Sequence, residues 1–124
     1  MEQPLDLQFA NLLLLRGIYS FIKLLSAGVL MGSSVMRLGD KSVGHGYPPV
    51  PSIQASSNVK ANGIGVVRQG DKYAVHCISS SCHQGAALGS STVKVNGKGI
   101  HTTGKKLTCG DTAGQGSSNV KAGG

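Results

Sequence analysis

The residue types with the widest chemical reach in this chain are its 4 histidines and 3 cysteines. Neutral imidazole and thiolate are the donors that suit zinc, and four of them make a closed tetrahedral set of the structural kind. Spacing shows which could converge. Asp40-Lys41-Ser42-Val43-Gly44-His45 and Asp71-Lys72-Tyr73-Ala74-Val75-His76 each place a histidine at the same distance beyond an aspartate. Lys105-Lys106-Leu107-Thr108-Cys109 places a cysteine one residue earlier beyond the matching point. Three matching loops thus deliver one metal-capable side chain each. His83, in the longer loop from Cys77 to Gly85, is the candidate for a fourth ligand, with Cys77 or Cys82 as substitutes. The expected ligands are His45, His76, His83 and Cys109, holding one structural zinc per chain. Such a metal would contribute folding free energy directly.

Other chemistry fits less well. Cys77 and Cys82 could form a local disulfide in an oxidising compartment. With His83 they mimic haem attachment, but the spacing is C-x₄-C-H rather than C-x-x-C-H, and the pattern offers no apolar haem pocket. A Cys–His hydrolase needs a pocket and an orienting partner. Beyond residue 31 the acidic inventory is only Asp40, Asp71 and Asp111, and the first two occupy matching turn positions after glycine. His101 aligns with Met36 and Val67, which makes it a strand residue rather than a ligand. The chain is therefore read as non-enzymatic, the alternatives being a small zinc metalloenzyme and a basic nucleic-acid-binding module.

The elements that must position these residues are visible as repeats. Ser56-Ser57-Asn58-Val59-Lys60-Ala61-Asn62-Gly63, Ser90-Ser91-Thr92-Val93-Lys94-Val95-Asn96-Gly97 and Ser117-Ser118-Asn119-Val120-Lys121-Ala122-Gly123-Gly124 align directly. In the first two, an alternating strand enters an Asn-Gly turn, the strongest short hairpin signal. A second strand follows and ends at another glycine, Gly70 or Gly104; Ser34-Val35-Met36-Arg37-Leu38-Gly39-Asp40 is a partial third copy. This is an all-β, permuted threefold array of hairpins whose last strand returns to close the set.

Composition agrees. Of 124 residues 19 are glycine and none is tryptophan, so a large aromatic core is excluded, and without a G-X-Y period so is collagen. A small domain with so little apolar mass needs another source of stability. The formal charge of +7 lies wholly beyond residue 30. It does not by itself indicate nucleic acid, because beyond residue 30 only Tyr47 and Tyr73 could serve as aromatic stacking platforms. Lys60, Lys94 and Lys121 share one repeat position and read as a solvated face or ring.

Residues 1–30 differ in kind and are expected to be an apolar or amphipathic helical extension to a domain at 31–124. Arg16, Ser20, Lys23 and Ala27 fall on one narrow helical stripe, and the rest is apolar. Arg16 and Lys23 interrupt the run that a spanning helix needs, and they lie inside it rather than ahead of it as in a signal peptide. Three readings stay open: a helix for a membrane surface or partner, a weak spanning segment, or a stretch outside the mature protein, whose start would be Met31.

The repeat Ser-Ser-x-Val-x-x-Asn-Gly, followed by a strand ending in Arg-x-Gly-Asp, resembles the PAAR-repeat family over residues 34–124. Its Pro-Ala-Ala-Arg element is degenerate here: Ser34-Val35-Met36-Arg37, Gly65-Val66-Val67-Arg68 and Gly99-Ile100-His101-Thr102. Proteins of this family cap the trimeric spike of contractile phage tails and type VI secretion systems. The resemblance implies a small pseudo-threefold conical β-prism with a zinc-bound apex. One copy would sit on a trimeric β-helical spike protein, touch the target cell's outer membrane transiently, and in some settings carry effector cargo. It implies no specific nucleic acid. The location would be the tip of a virion tail and baseplate spike or of a type VI secretion spike; the long loop Gly44–Val50 looks closer to phage members.

Overall fold

The computed structural model describes residues 12–15, 17–18 and 32–123. In chain order the strands are β1 (Leu12–Leu15), β2 (Gly17–Ile18), β3 (Ser33–Ser34), β4 (Lys60–Ala61), β5 (Ile64–Gly65), β6 (His76–Ile78), β7 (Ser81–His83), β8 (Lys94–Val95), β9 (Lys98–Gly99) and β10 (Lys121–Ala122). All pair antiparallel in two-stranded units: β1 with β2, β3 with β10, β4 with β5, β6 with β7, and β8 with β9. The domain beyond residue 31 is all-β, as the repeats indicate, and the strand from Lys121 does return to pair with Ser34.

Within residues 1–30, expected as a helical extension, the described residues are β1 and β2, which form a short antiparallel pair. An unbroken leucine run has no period of its own and suits either state. Gly17 also costs a helix interior about 1 kcal/mol relative to alanine. The proposed amphipathic stripe of Arg16, Ser20, Lys23 and Ala27 lies wholly outside the described residues. Among those described, no helix is long and apolar enough to cross a membrane.

The two Asn-Gly turns form as expected. Asn62 and Gly63 have φ of 56° and 77°, and Asn96 and Gly97 have 54° and 78°. Positive φ at both central residues matches the twist of the flanking strands, and these two residue types tolerate it at least cost.

Between the hairpins the chain bonds to itself in a threefold cycle. The Met36 N–H donates to the His101 carbonyl, the Val67 N–H to Met36 and the His101 N–H to Val67, at 3.0, 2.9 and 3.0 Å. A second cycle pairs Arg37 with Val66, Arg68 with Ile100 and Thr102 with Val35; a third pairs Ser52 with Tyr73, Ala87 with Leu107 and Ala113 with Ser42. The three repeats are thus each other's sheet neighbours, and each leaves few unpaired strand edges.

The core is correspondingly stacked. Val35, Ala61, Val66, Val95 and Ile100 form one cluster beside the hairpins. Met36, Val67 and His101, one from each repeat, are all 0% exposed. Met36 and Val67 join Val50, Tyr73, Ala87, Leu107 and Ala113 in the second cluster, against which Cys109 packs. That cluster is the floor beneath the histidines.

Candidate metal centre

The four candidate ligands leave the floor from three bonded segments. His45 follows the bridges Lys41–Pro51 and Ser42–Ala113. His76 opens β6 and His83 ends β7, so the two face each other directly across that hairpin. Cys109 lies inside the turn closed by Lys106 and Thr112. Its sulfur approaches so near the backbone of Gly85 that a Cβ there would stand 2.6 Å from it. Glycine at 85 is what lets the thiol reach the cluster.

The four side chains meet. The Nε2 atoms of His45 and His76 are 3.3 Å apart, those of His45 and His83 3.1 Å, and those of His76 and His83 2.7 Å. Cys109 Sγ is 3.9 Å from His45 Nε2, and all four donor atoms lie within 4.8 Å of one another. Donors about 2.0–2.1 Å from a central zinc would stand about 3.3 Å apart, so the set fits an ion of that size.

Tautomers support the same reading. The Nδ1 proton of His76 is donated to the Pro48 carbonyl at 2.9 Å, which leaves Nε2 bare and turned toward the other two rings. Desolvation, then the neighbouring His76 and His45, lower the pKa of His83. A His₃Cys cluster able to coordinate a metal ion is therefore present and partly buried.

Two residues at the site escaped sequence reasoning. Tyr47 lies over the cluster, with ring centroids 5.1, 4.9 and 4.1 Å from those of His45, His76 and His83, and its hydroxyl meets Ser81 Oγ at 2.9 Å. Asp111 is wholly buried beside His76. The signal for Asp111 was its standing as the aspartate with no repeat counterpart. For Tyr47 it was a lone aromatic in the histidine's own loop.

The remaining candidates separate cleanly. Cys77 and Cys82 are joined to each other in a disulfide, so neither replaces His83. Strand alternation turns them away from the face carrying His76 and His83. His101 lies in the core, its Nδ1 donating to the Leu88 carbonyl at 2.6 Å and its Nε2 accepting from the Tyr73 hydroxyl at 2.9 Å. Asp40 and Asp71 pair with Arg37 and Arg68 three residues earlier, each Nε–Oδ2 distance being 2.9 Å. Those aspartates close turns, as expected from their positions.

Compared with known families, the chain matches the PAAR motif over residues 39–115, more than half its length and a span that contains all four donors. The chain belongs to the PAAR-motif family. None of the curated proteins compared with it matches.

Proposed function

We propose that residues 31–124 are the pointed tip of a contractile injection spike, a conical β-prism whose apex is closed by one structural zinc bound to His45, His76, His83 and Cys109. The observation that carries this reading is the internal threefold. Three non-identical repeats bond in closed cycles, and each sends its own donor or donors to one point. A single chain with such symmetry can match the end of a trimeric β-helical spike without being a trimer itself, one copy per three spike chains.

The function is mechanical rather than catalytic. Four protein donors complete a tetrahedral set and leave no open position for a reacting water, the feature that separates structural from catalytic zinc. Tying three loops together at the apex replaces the apolar mass the sequence lacks and stiffens the end that meets a target envelope. Effector cargo fits the same scheme as a passenger. The location is the spike tip of a phage tail and baseplate, or that of a type VI secretion system.

Co-purification with trimeric spike proteins tests this. The expected result is one chain and one zinc per trimer. A chain that binds no trimeric spike, or binds one with three copies, would overturn the capping role.

A further inference from the structure

We propose that Asp111 is the counter-charge of the metal centre and the positioning residue that ties its three ligand loops together; this rests on reading the cluster as a zinc site. Asp111 follows Cys109 by two residues, and its side chain is 0% exposed. Its Oδ1 accepts the N–H of Gly44, the residue before His45, at 2.8 Å, and that of Thr112 at 2.7 Å. Its Oδ2 is buried with no hydrogen-bond partner among the described residues. That oxygen stands 4.0 Å from Nδ1 of His76. One carboxylate thus touches the loops of His45, His76 and Cys109.

The unpartnered oxygen needs an explanation, because a buried acceptor left without a donor is costly. The His76 Nδ1 proton is already committed to Pro48, and 4.0 Å is too long for a second hydrogen bond. Asp111 therefore acts on His76 through charge. The remaining charges say why that would be favoured. A dication with one thiolate and three neutral imidazoles leaves a net positive charge in a poorly solvated place, and one buried carboxylate cancels it. The two backbone N–H groups that converge on Oδ1 suit a carboxylate in this buried place. The Leu107 N–H donates to the Asp111 carbonyl as those of Ser42 and Tyr73 donate to Val50 and Gly85, so the other repeats carry Val50 and Gly85 at the matching position and the device occurs once, as a single ion requires.

The test compares wild type with Asp111→Asn and Asp111→Glu in the full chain. Zinc and copper(I) affinities are measured by chelator competition, and the cobalt(II) spectrum reports geometry. The Asn variant should lose about 10–100-fold in zinc affinity, as for other outer-shell partners of metal ligands. It should lose less for monovalent copper, and its cobalt spectrum should stay tetrahedral. The Glu variant keeps the charge and should remain within a few-fold of wild type for zinc. Unchanged zinc affinity in D111N overturns the proposal. So do equal losses for zinc and copper(I), which would mark a loop anchor only, or a Glu variant as weak as the Asn one. Wild type binding no zinc would instead defeat the metal reading itself.

Discussion

His101 shows how a ligand-type residue becomes a core residue. It aligns with Met36 and Val67, all three are fully buried, and its ring is fixed by a donor at one nitrogen and an acceptor at the other. Burial lowers its pKa to about 4, with the Leu88 carbonyl and Asp71 opposing and Lys105 reinforcing the shift. The unfolded value is about 6.5. Between the two, the unfolded chain binds a proton that the folded chain refuses, so stability is full above pH ~6.5, falls as pH drops toward 4, and levels off below. The term amounts to roughly 3 kcal/mol. Urea unfolding at saturating zinc across that window should show a shallower acid loss in His101→Met than in wild type. Equal slopes would mean that His101 is protonated in place. The H101M chain should also be less stable at neutral pH by about 1–3 kcal/mol, because the Tyr73 hydroxyl loses its acceptor. The sequence placed His101 in a strand away from the ligands. It could not supply Tyr73, which lies 28 residues back in another repeat.

At the scale of elements, the legible parts were those with local rules. Asn-Gly turns, the glycines ending each second strand and the returning final strand all follow from short-range backbone preferences read against the repeat. Less legible was that each turn is also a cross-repeat contact. Asn62 Oδ1 accepts from Arg37 Nη1 at 3.1 Å and from Ser117 Oγ at 2.6 Å, while its Nδ2 donates to Asn119 at 2.8 Å. Asn96 makes the matching bonds to Arg68, Ser56 and Asn58. Replacing either asparagine by alanine puts a residue ill-suited to the left-handed conformation in the turn and removes its three cross-repeat side-chain bonds. A loss of about 1–3 kcal/mol is expected for each, against less than 0.5 kcal/mol for Lys98→Ala on an exposed strand position. The β6–β7 hairpin was not legible, since its turn has Ser79 at φ 51° where glycine or asparagine would signal it. Its disulfide closes a short loop, with a separation of 5 residues, worth about 2 kcal/mol by chain entropy. Because Cys77 and Cys82 face away from the cluster, the double serine variant should melt lower yet keep one zinc per chain. A double variant without metal would mean that the crosslink holds His76 and His83 in place.

For the molecule as a whole, stability is divided between two ends that depend on different forces. Around Met36, Val67 and His101 the chain has closed hydrogen-bond cycles and fully buried side chains, and nothing there needs a metal. At the ligand end, Gly44, Gly46 and Gly110 all have positive φ, and the loops are joined to one another mainly through Asp111, the His76–Pro48 bond and the donors they share. The convergence of His45, His76 and Cys109 was legible because repeat-equivalent loops must meet wherever the repeats pair in a cycle. The lid of Tyr47 and the buried Asp111 were not, since both depend on how loops of unequal length fold over one another. The division leads to a graded response to chelation. At a free zinc level about 1,000-fold above its dissociation constant the ion contributes about 4 kcal/mol, so stripping it should lower the melting temperature by roughly 15–30 °C for a domain of this size. Hydrogen exchange should locate the loss. Amides of Gly44, Thr108 and Gly110 should lose protection at once on chelation, while those of Met36, Val67 and His101 should exchange only with global unfolding. If the metal-free protein melts at the same temperature, or if the central amides open together with the apex, the ligand end is not the part that the metal stabilises.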